Sequence, residues 1–280
     1  MSAAAAEPRT LAPPARRVAE VSGSRELGAY RLVSAVDRLG PPQPRPGQFY
    51  MLAAAERWGG GEGERPYLAR AFSYARARPL AEGVELEFLL EEVGPGTERL
   101  AALRAGDGLA LIGPLGVGFR QPDAGARPLL VGGGIGVAPL LCLAEALLET
   151  GERSHVLLGF RSAAHARAAK LFPAPVEVAT DDGSVGRHAL VTELLRERLH
   201  HDPRAAVLAC GPPAMLEAVR ALCVERGAPA QLALESGMAC GFGACFGCVV
   251  PTRLGYLRLC VDGPVLDAEL LDSALFAGAP

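Results

Sequence analysis

Four cysteines, Cys240, Cys245, Cys248 and Cys260, stand in the pattern C-x4-C-x2-C-x11-C. Four thiolates at this spacing suit a plant-type [2Fe–2S] cluster, with two ligands on each iron. Gly241, Gly243 and Gly247 fall between the first three. Glycine there lets the loop adopt positive φ and bring backbone N–H groups close to sulfur. Zinc ribbons usually pair C-x2-C with C-x2-C across a longer gap, which fits the x4 interval poorly. A disulfide framework fits no better: the chain has seven cysteines, an odd number, and is long enough to build a core without cross-links. Cys142 and Cys223 lie inside apolar helical patterns and read as small core residues.

A cluster of this kind moves single electrons, so the donor and acceptor on either side of it are the next question. Gly132, Gly133, Gly134 and Gly136 sit between a buried strand pattern and a helix. Backbone can approach a pyrophosphate there, at a helix N-terminus that favours an anion. The spacing is not G-x-G-x-x-G, and a tight turn without a ligand accounts for it equally well. Asp181 with Asp182, and Cys210 with Gly211, end two further strands of the same pattern. In an open α/β sheet those ends share one crevice. Asp181 and Asp182 can accept ribose hydroxyls and repel a 2′-phosphate, which leans toward NAD over NADP. Arg161 and Arg187 can reverse that, and a capped turn explains the two aspartates nearly as well.

Nicotinamides deliver electron pairs and the cluster takes single electrons, so a flavin between them is the natural converter. Arg70, Ala71, Phe72 and Ser73 occupy a strand with Tyr74 next, and Gly94-Pro95-Gly96-Thr97 opens a helix. Arg70 can pair a pyrophosphate, Phe72 or Tyr74 can pack near a ring, and Ser73 can hydrogen-bond to it. Backbone N–H groups near Gly96, with the Thr97 hydroxyl, suit a phosphate. An exposed arginine and an ordinary capping threonine are the plain alternatives.

These residues need three kinds of support. Residues 16–125 read as short strands separated by Gly/Pro turns, with one helix near Gly96–Arg104: an antiparallel β-barrel. Residues 126–234 alternate strand and helix, which predicts an α/β, doubly wound parallel sheet. Residues 235–280 form the cluster module and a tail without strong signal, and residues 1–15 read as a flexible tail. The glycine-rich stretch 56–64 is expected to be a mobile loop. The net charge of −3 offers no field for nucleic acid, and no apolar run reaches membrane-spanning length. Spare thiols and the lack of a secretion signal predict the cytoplasm.

Taken together, R-x-[FY]-S, G-x-G-T, a GGGxGxxP turn and a CGP strand end resemble the ferredoxin–NADP reductase superfamily. The segment ESGMACGFGACFGCVV…LCVDGPVL narrows the resemblance to electron transfer subunits of class 1B dihydroorotate dehydrogenase, over roughly Arg16–Leu266. The resemblance implies FAD at Arg70, Ala71, Phe72, Ser73, Leu89, Leu90, Glu91, Gly96 and Thr97. It implies cluster ligation by Cys240, Cys245, Cys248 and Cys260, with Cys210 and Glu235 near the meeting point of flavin and nicotinamide. It also implies an FMN-containing catalytic partner, two of each subunit in a heterotetramer, and passage of electrons from dihydroorotate through FMN, cluster and FAD to NAD+. No catalytic acid or base is expected on this chain. Two departures stand out: Ala71 replaces a usual proline, and Leu90-Glu91 replaces a usual Tyr-Arg, which puts a carboxylate where the family carries a cation. The other readings are a reductase serving a different redox partner, a redox-sensing or structural cluster, and a zinc-stabilised interaction module.

Overall fold

The computed structural model describes residues 15–275 apart from 42, 57, 60–66 and 174. The N-terminal tail and most of the 56–64 loop lie outside the described residues.

Seven strands form the first sheet: β1 (Arg16–Leu27), β2 (Tyr30–Asp37), β3 (Phe49–Ala54), β4 (Arg70–Ser73), β5 (Arg76–Pro79), β6 (Val84–Leu90) and β7 (Gly108–Leu115). Their order is β4-β3-β7-β1-β2-β6-β5, antiparallel throughout. The two edge strands, β4 and β5, are consecutive in the chain, so the sheet curls until its edges face each other in a half-barrel. Tyr50 fills the interior, edge-on to Tyr74 at 6.3 Å and Phe88 at 5.7 Å. Helix α1 (Pro95–Ala101) contributes the buried Leu100 to that interior and ends three residues earlier than its sequence pattern suggests. The long β1 carries no strong apolar alternation, which is why it escapes a reading by periodicity.

The second sheet contains β8 (Arg127–Gly133), β9 (His155–Phe160), β10 (Val176–Thr180), β11 (Arg187–His188), β12 (Ala205–Cys210) and β13 (Ala230–Ala233), all parallel. Helices α2 (Val137–Glu149), α3 (Ala163–Ala166), α4 (Val191–His201) and α5 (Pro213–Arg226) connect them. β8 and β12 are apolar and buried almost end to end, as central parallel strands covered on both faces must be. After β9 the chain makes a single α turn, α3, and continues as a 3-10 helix over Arg167–Leu171.

The C-terminal segment forms a hairpin, β14 (Val249–Thr252) with β15 (Gly255–Arg258), and then β16 (Val265–Asp267). β16 pairs antiparallel with β13 and completes the order β11-β10-β9-β8-β12-β13-β16. A bridge between Val117 and Pro264 ties the same segment to the half-barrel. The weakly patterned tail is therefore part of the core: Leu271 and Ala274 are fully buried. One apolar cluster runs from α4 and α5 through Phe49, Met51 and Leu115 to Cys248, Val250 and Cys260, so the cysteine module packs on both sheets.

Candidate functional site

The cysteine loop is built on backbone that glycine makes possible. Gly241 has φ +79° and Gly243 +89°. A Cβ on Gly241 would lie 2.4 Å from Met51 Cγ. Phe246 is the one described non-glycine residue in the left-handed region, at φ +58°, and the Arg258 guanidinium lies 5.1 Å above its ring. The thiols come together two by two. Cys240 has Cys245 beside it, and Cys260 has Cys248, whose Sγ also accepts the Cys260 N–H at 3.4 Å. Burial pushes the Cys240 thiol up, but N–H groups of Cys245, Phe242 and Ala244, with the Cys245 thiol, outweigh it and hold it at about 6. Burial, with the Cys248 thiol beside it, pushes Cys260 up to about 12. Among the described residues no three metal-binding side chains converge on one point. Two pairs suit a two-iron cluster and fit a single tetrahedral zinc poorly.

Next to this loop lies a crevice of 670 Å³, lined by Phe49, Arg70, Ala71 and Ser73 from the half-barrel and by Glu235, Ser236, Met238 and Gly247 from the segment around the cysteines. The Arg70 guanidinium lies against Gly96, where an added Cβ would be 2.6 Å from Nε. Cation and bare helix backbone thus form a cradle that any side chain at 96 would fill. The Thr97 hydroxyl accepts the N–H groups of Val93 (2.9 Å) and Gly94 (3.1 Å) and donates to the Gly94 carbonyl (2.9 Å). It closes its own turn, and the Gly96 backbone lies beside the Arg70 guanidinium. Phe72 packs against the barrel core instead of lining the crevice. Tyr74 is fully buried there and donates to the Pro44 carbonyl at 2.7 Å, so it is not available to a ring. Leu89 and Leu90 are likewise core side chains; of that trio only Glu91 presents its side chain to a crevice.

A second crevice, of 540 Å³, opens at the carboxyl ends of the parallel strands. Reading outward from β8, the order β10-β9-β8-β12-β13-β16 has its switch point between β8 and β12, where open α/β sheets bind dinucleotides. Gly133, Gly134, Gly136, Asp181 and Gly211 line it. Gly132 does not: a Cβ there would meet Leu158, Leu140 and Val137, so its role is close packing of α2 on the sheet. At Gly136 a Cβ would lie 2.6 Å from the Gly211 nitrogen, which holds the two glycine turns together. Cys210 is buried, and burial, with Glu235 nearby, raises its thiol. Asp182 turns away and binds the Ser184 hydroxyl (2.6 Å) and N–H (3.0 Å). Arg187 is held by Glu197 in a two-pronged pair.

The two crevices meet at Pro213 and Glu235, which line both. Glu235 is open to this space while protein surrounds it otherwise, and burial raises its carboxyl. Each crevice also holds a hydroxyl shut from solvent with no hydrogen-bond partner, Ser236 in the first and Tyr30 in the second. Such orphans fit sites whose occupant supplies the partner. Neither stands out in the sequence, nor does the pairing of Glu91 with Arg161 and, at 3.4 Å, His165. That contact joins residues 70 positions apart.

Residues 235–272 match the iron–sulfur cluster binding domain of dihydroorotate dehydrogenase B. A dihydroorotate dehydrogenase B (NAD(+)) electron transfer subunit from Shouchella clausii (strain KSM-K16) is 40% identical over 79% of this chain and 84% of its own length. The chain belongs to that family. An electron transfer subunit homolog from Aquifex aeolicus (strain VF5) is 34% identical over 86% of this chain and 91% of its own. Members of this family are electron transfer subunits of an NAD+-linked oxidoreductase, and such a subunit works with a catalytic partner. Among solved structures, an NADH-dependent reduced ferredoxin-NADP oxidoreductase superposes with a TM-score of 0.76 at 26% identity, covering 92% of this chain and 91% of that one. A ferredoxin NADP+ reductase from Neisseria gonorrhoeae, solved with FAD and NADP, shares the fold at a TM-score of 0.56 and 21% identity, over 76% of this chain and 92% of its own. Among the described residues no helix is long and apolar enough to cross a membrane.

Proposed function

We propose that this chain carries electrons between a dihydroorotate-oxidising, FMN-containing subunit and NAD+, with FAD in the larger crevice, NAD in the smaller and a [2Fe–2S] cluster on Cys240, Cys245, Cys248 and Cys260. The observation that carries the reading is continuity. Gly247 of the cysteine loop lines the first crevice, and Pro213 and Glu235 line both. Bound flavin supplies the conversion between single electrons and hydride. The chain itself contributes geometry. Arg70 and the Gly96 backbone hold the pyrophosphate end of FAD, with Ala71 and Ser73 along its length. Phe72, Leu89, Leu90 and Thr97 act from behind, as core and turn residues. Gly133, Gly134, Gly136 and Gly211 admit the dinucleotide backbone, Gly132 and Cys210 pack behind them, and Asp181 faces the ribose. Pro213 and Glu235 leave the two crevices open to each other, which brings nicotinamide and flavin together.

The partner meets the cysteine module, where Phe242 and Phe246 are exposed, in an assembly of two catalytic and two electron transfer subunits in the cytoplasm. The test is anaerobic: the cluster-loaded chain and the catalytic subunit are mixed with dihydroorotate and NAD+, and NADH absorbance is followed. NADH formed only when both subunits are present supports the reading. No NADH, with flavin still bleached by added NADH, would leave a reductase that serves another donor. The close superposition on the NADH-dependent reduced ferredoxin-NADP oxidoreductase favours that second reading.

A further inference from the structure

Dinucleotide folds commonly read the adenosine ribose at the end of the strand that follows the glycine turn. A carboxylate there takes the 2′-hydroxyl of NAD, and an arginine accommodates the 2′-phosphate of NADP. In this chain β9 is that strand, and the residue after its last, Phe160, is Arg161. By that rule the crevice is built for the phosphorylated cofactor. Arg161 is also the one arginine or lysine lining the crevice among the described residues.

Its guanidinium is not free. Nη2 donates to the carboxylate of Glu91, which comes from the half-barrel across the crevice. The same Glu91 oxygen lies 3.4 Å from His165 Nε2, and the other ring nitrogen of His165 lies 2.9 Å from Ser162 Oγ. Main-chain contacts fix both sides of this pair. Gly28 and Ala29 of the β1–β2 turn pack on Ala164, where a Cβ on Gly28 would be 1.9 Å from the carbonyl oxygen. The Asp181 N–H bonds to the Phe160 carbonyl at 2.9 Å, so Asp181 stands beside Arg161 in the crevice wall.

We infer that Glu91 is a specificity-determining residue: by occupying Arg161 it supplies, from the other domain, the carboxylate that the second strand lacks, and so excludes 2′-phosphorylated dinucleotides. The inference rests on the smaller crevice being the nucleotide site. With Glu91 in place, an incoming 2′-phosphate finds a neutralised cation and two carboxylates, Glu91 and Asp181. A 2′-hydroxyl meets no such penalty. The carboxylate that departs from the family pattern at this position thereby acquires a role in choosing the nucleotide.

The experiment compares wild type, Glu91→Gln and Glu91→Gln/Arg161→Ala as FAD- and cluster-loaded protein. Dissociation constants for NADH and NADPH are measured by titration calorimetry, with bound FAD quantified in each sample. Wild type should prefer NADH. Glu91→Gln should strengthen NADPH binding roughly two- to fivefold, the worth of one released ion pair whose arginine is largely exposed, while NADH changes little. The double variant should lose that gain. An unchanged NADPH-to-NADH ratio in Glu91→Gln, with NADH still bound, overturns the role of Glu91 and leaves the crevice reading intact. Wild type that binds neither nucleotide overturns the crevice reading and this inference with it. Should Glu91→Gln fail to retain FAD, Arg161→Ala carries the test. Baring the Glu91 carboxylate should weaken NADPH selectively, and an unchanged ratio there also overturns the inference.

Discussion

Replacing Gly96 with alanine separates flavin binding from folding. Gly96 lies in the first turn of α1, and its φ is not in the left-handed region, so alanine is tolerated by the backbone. Helix propensity favours the change by up to about 1 kcal/mol, less in a first turn. The new Cβ would sit 2.6 Å from Arg70 Nε and 2.9 Å from both Cζ and Nη2. The guanidinium must retreat from 2.6 Å to the 3.4 Å at which ordinary contact begins, about 0.8 Å. It is the far end of a long side chain, so the retreat costs the empty protein little. With FAD bound, the same retreat takes the cation away from the phosphate it is proposed to hold. One charge-assisted hydrogen bond is worth about 1.5–3 kcal/mol, so FAD affinity should fall roughly 10- to 100-fold. Denaturant unfolding of the flavin-free protein should meanwhile move by less than about 1 kcal/mol. The assay is fluorescence titration of flavin-free protein with FAD, for Gly96→Ala, Arg70→Ala and the pair. The pair should be no worse than Arg70→Ala alone. FAD affinity within twofold of wild type in Gly96→Ala, or additive losses in the pair, would refute the cradle.

Gly28→Ala should cost at least about 2 kcal/mol in denaturant unfolding, because φ is +66° and the new Cβ would lie 1.9 Å from the Ala164 carbonyl oxygen, with only main chain available to yield. Glu217 is held down to about 2 by its hydrogen bond to Arg220, against burial, with the Ala274 N–H and Ser273 hydroxyl assisting. A lowered folded-state value means that its stabilisation is complete above the ordinary 4.5 and lost as pH falls toward 2. Glu217→Gln should thus destabilise by about 1 kcal/mol at neutral pH after solvent screening, and its difference from wild type in unfolding midpoint should shrink across that acid window. Phe246→Asp should weaken association with the catalytic subunit at least roughly tenfold, measured by analytical ultracentrifugation, and unchanged affinity would remove the module's exposed face as the docking surface.

Local pattern carried the fold as far as local pattern can. The strand–helix alternation after residue 126 reads directly as β8 to β13, because each strand there is buried on both faces and each helix is apolar toward the sheet. The cysteine spacing likewise reads directly as one short module, which matches the family's cluster-binding domain over residues 235–272. The misses arise where tertiary contact decides. Tyr74 follows directly after β4, and its partly polar neighbours give no sign that it turns into the barrel; a one-residue shift in facing reverses crevice and core. β16 is three residues long and finds its partner, β13, more than thirty positions upstream, so no window around it carries a strand signal. Glu91 reads from the sequence only as a carboxylate in place of a cation, because the Arg161 guanidinium and the His165 ring that it meets arrive from the end of β9 and from α3.

The four thiols differ in a way that orients the module. Cys245 is exposed and Cys240 half-buried, whereas Cys248 and Cys260 are each 2% exposed within the apolar cluster shared with both sheets. Each pair therefore has its own surroundings. The outer pair opens beside Phe242 and Phe246, and the hairpin of β14 and β15 adds the exposed Leu254 and Tyr256 to the same module. The inner pair is sealed against Leu259, Val250 and the side chains that lead to Met51 and Leu115. A carrier that exchanged electrons with small soluble molecules at the cysteines would gain nothing from burying half of its ligands. Burial of the inner pair keeps water from that side of the loop, and the outer pair is the one open to approach, beside Phe242 and Phe246. The open side is also the one that reaches the first crevice: Gly247, which lines it, donates its N–H to Cys245 Sγ at 3.4 Å, so the outer pair adjoins both the exposed phenylalanines and that crevice.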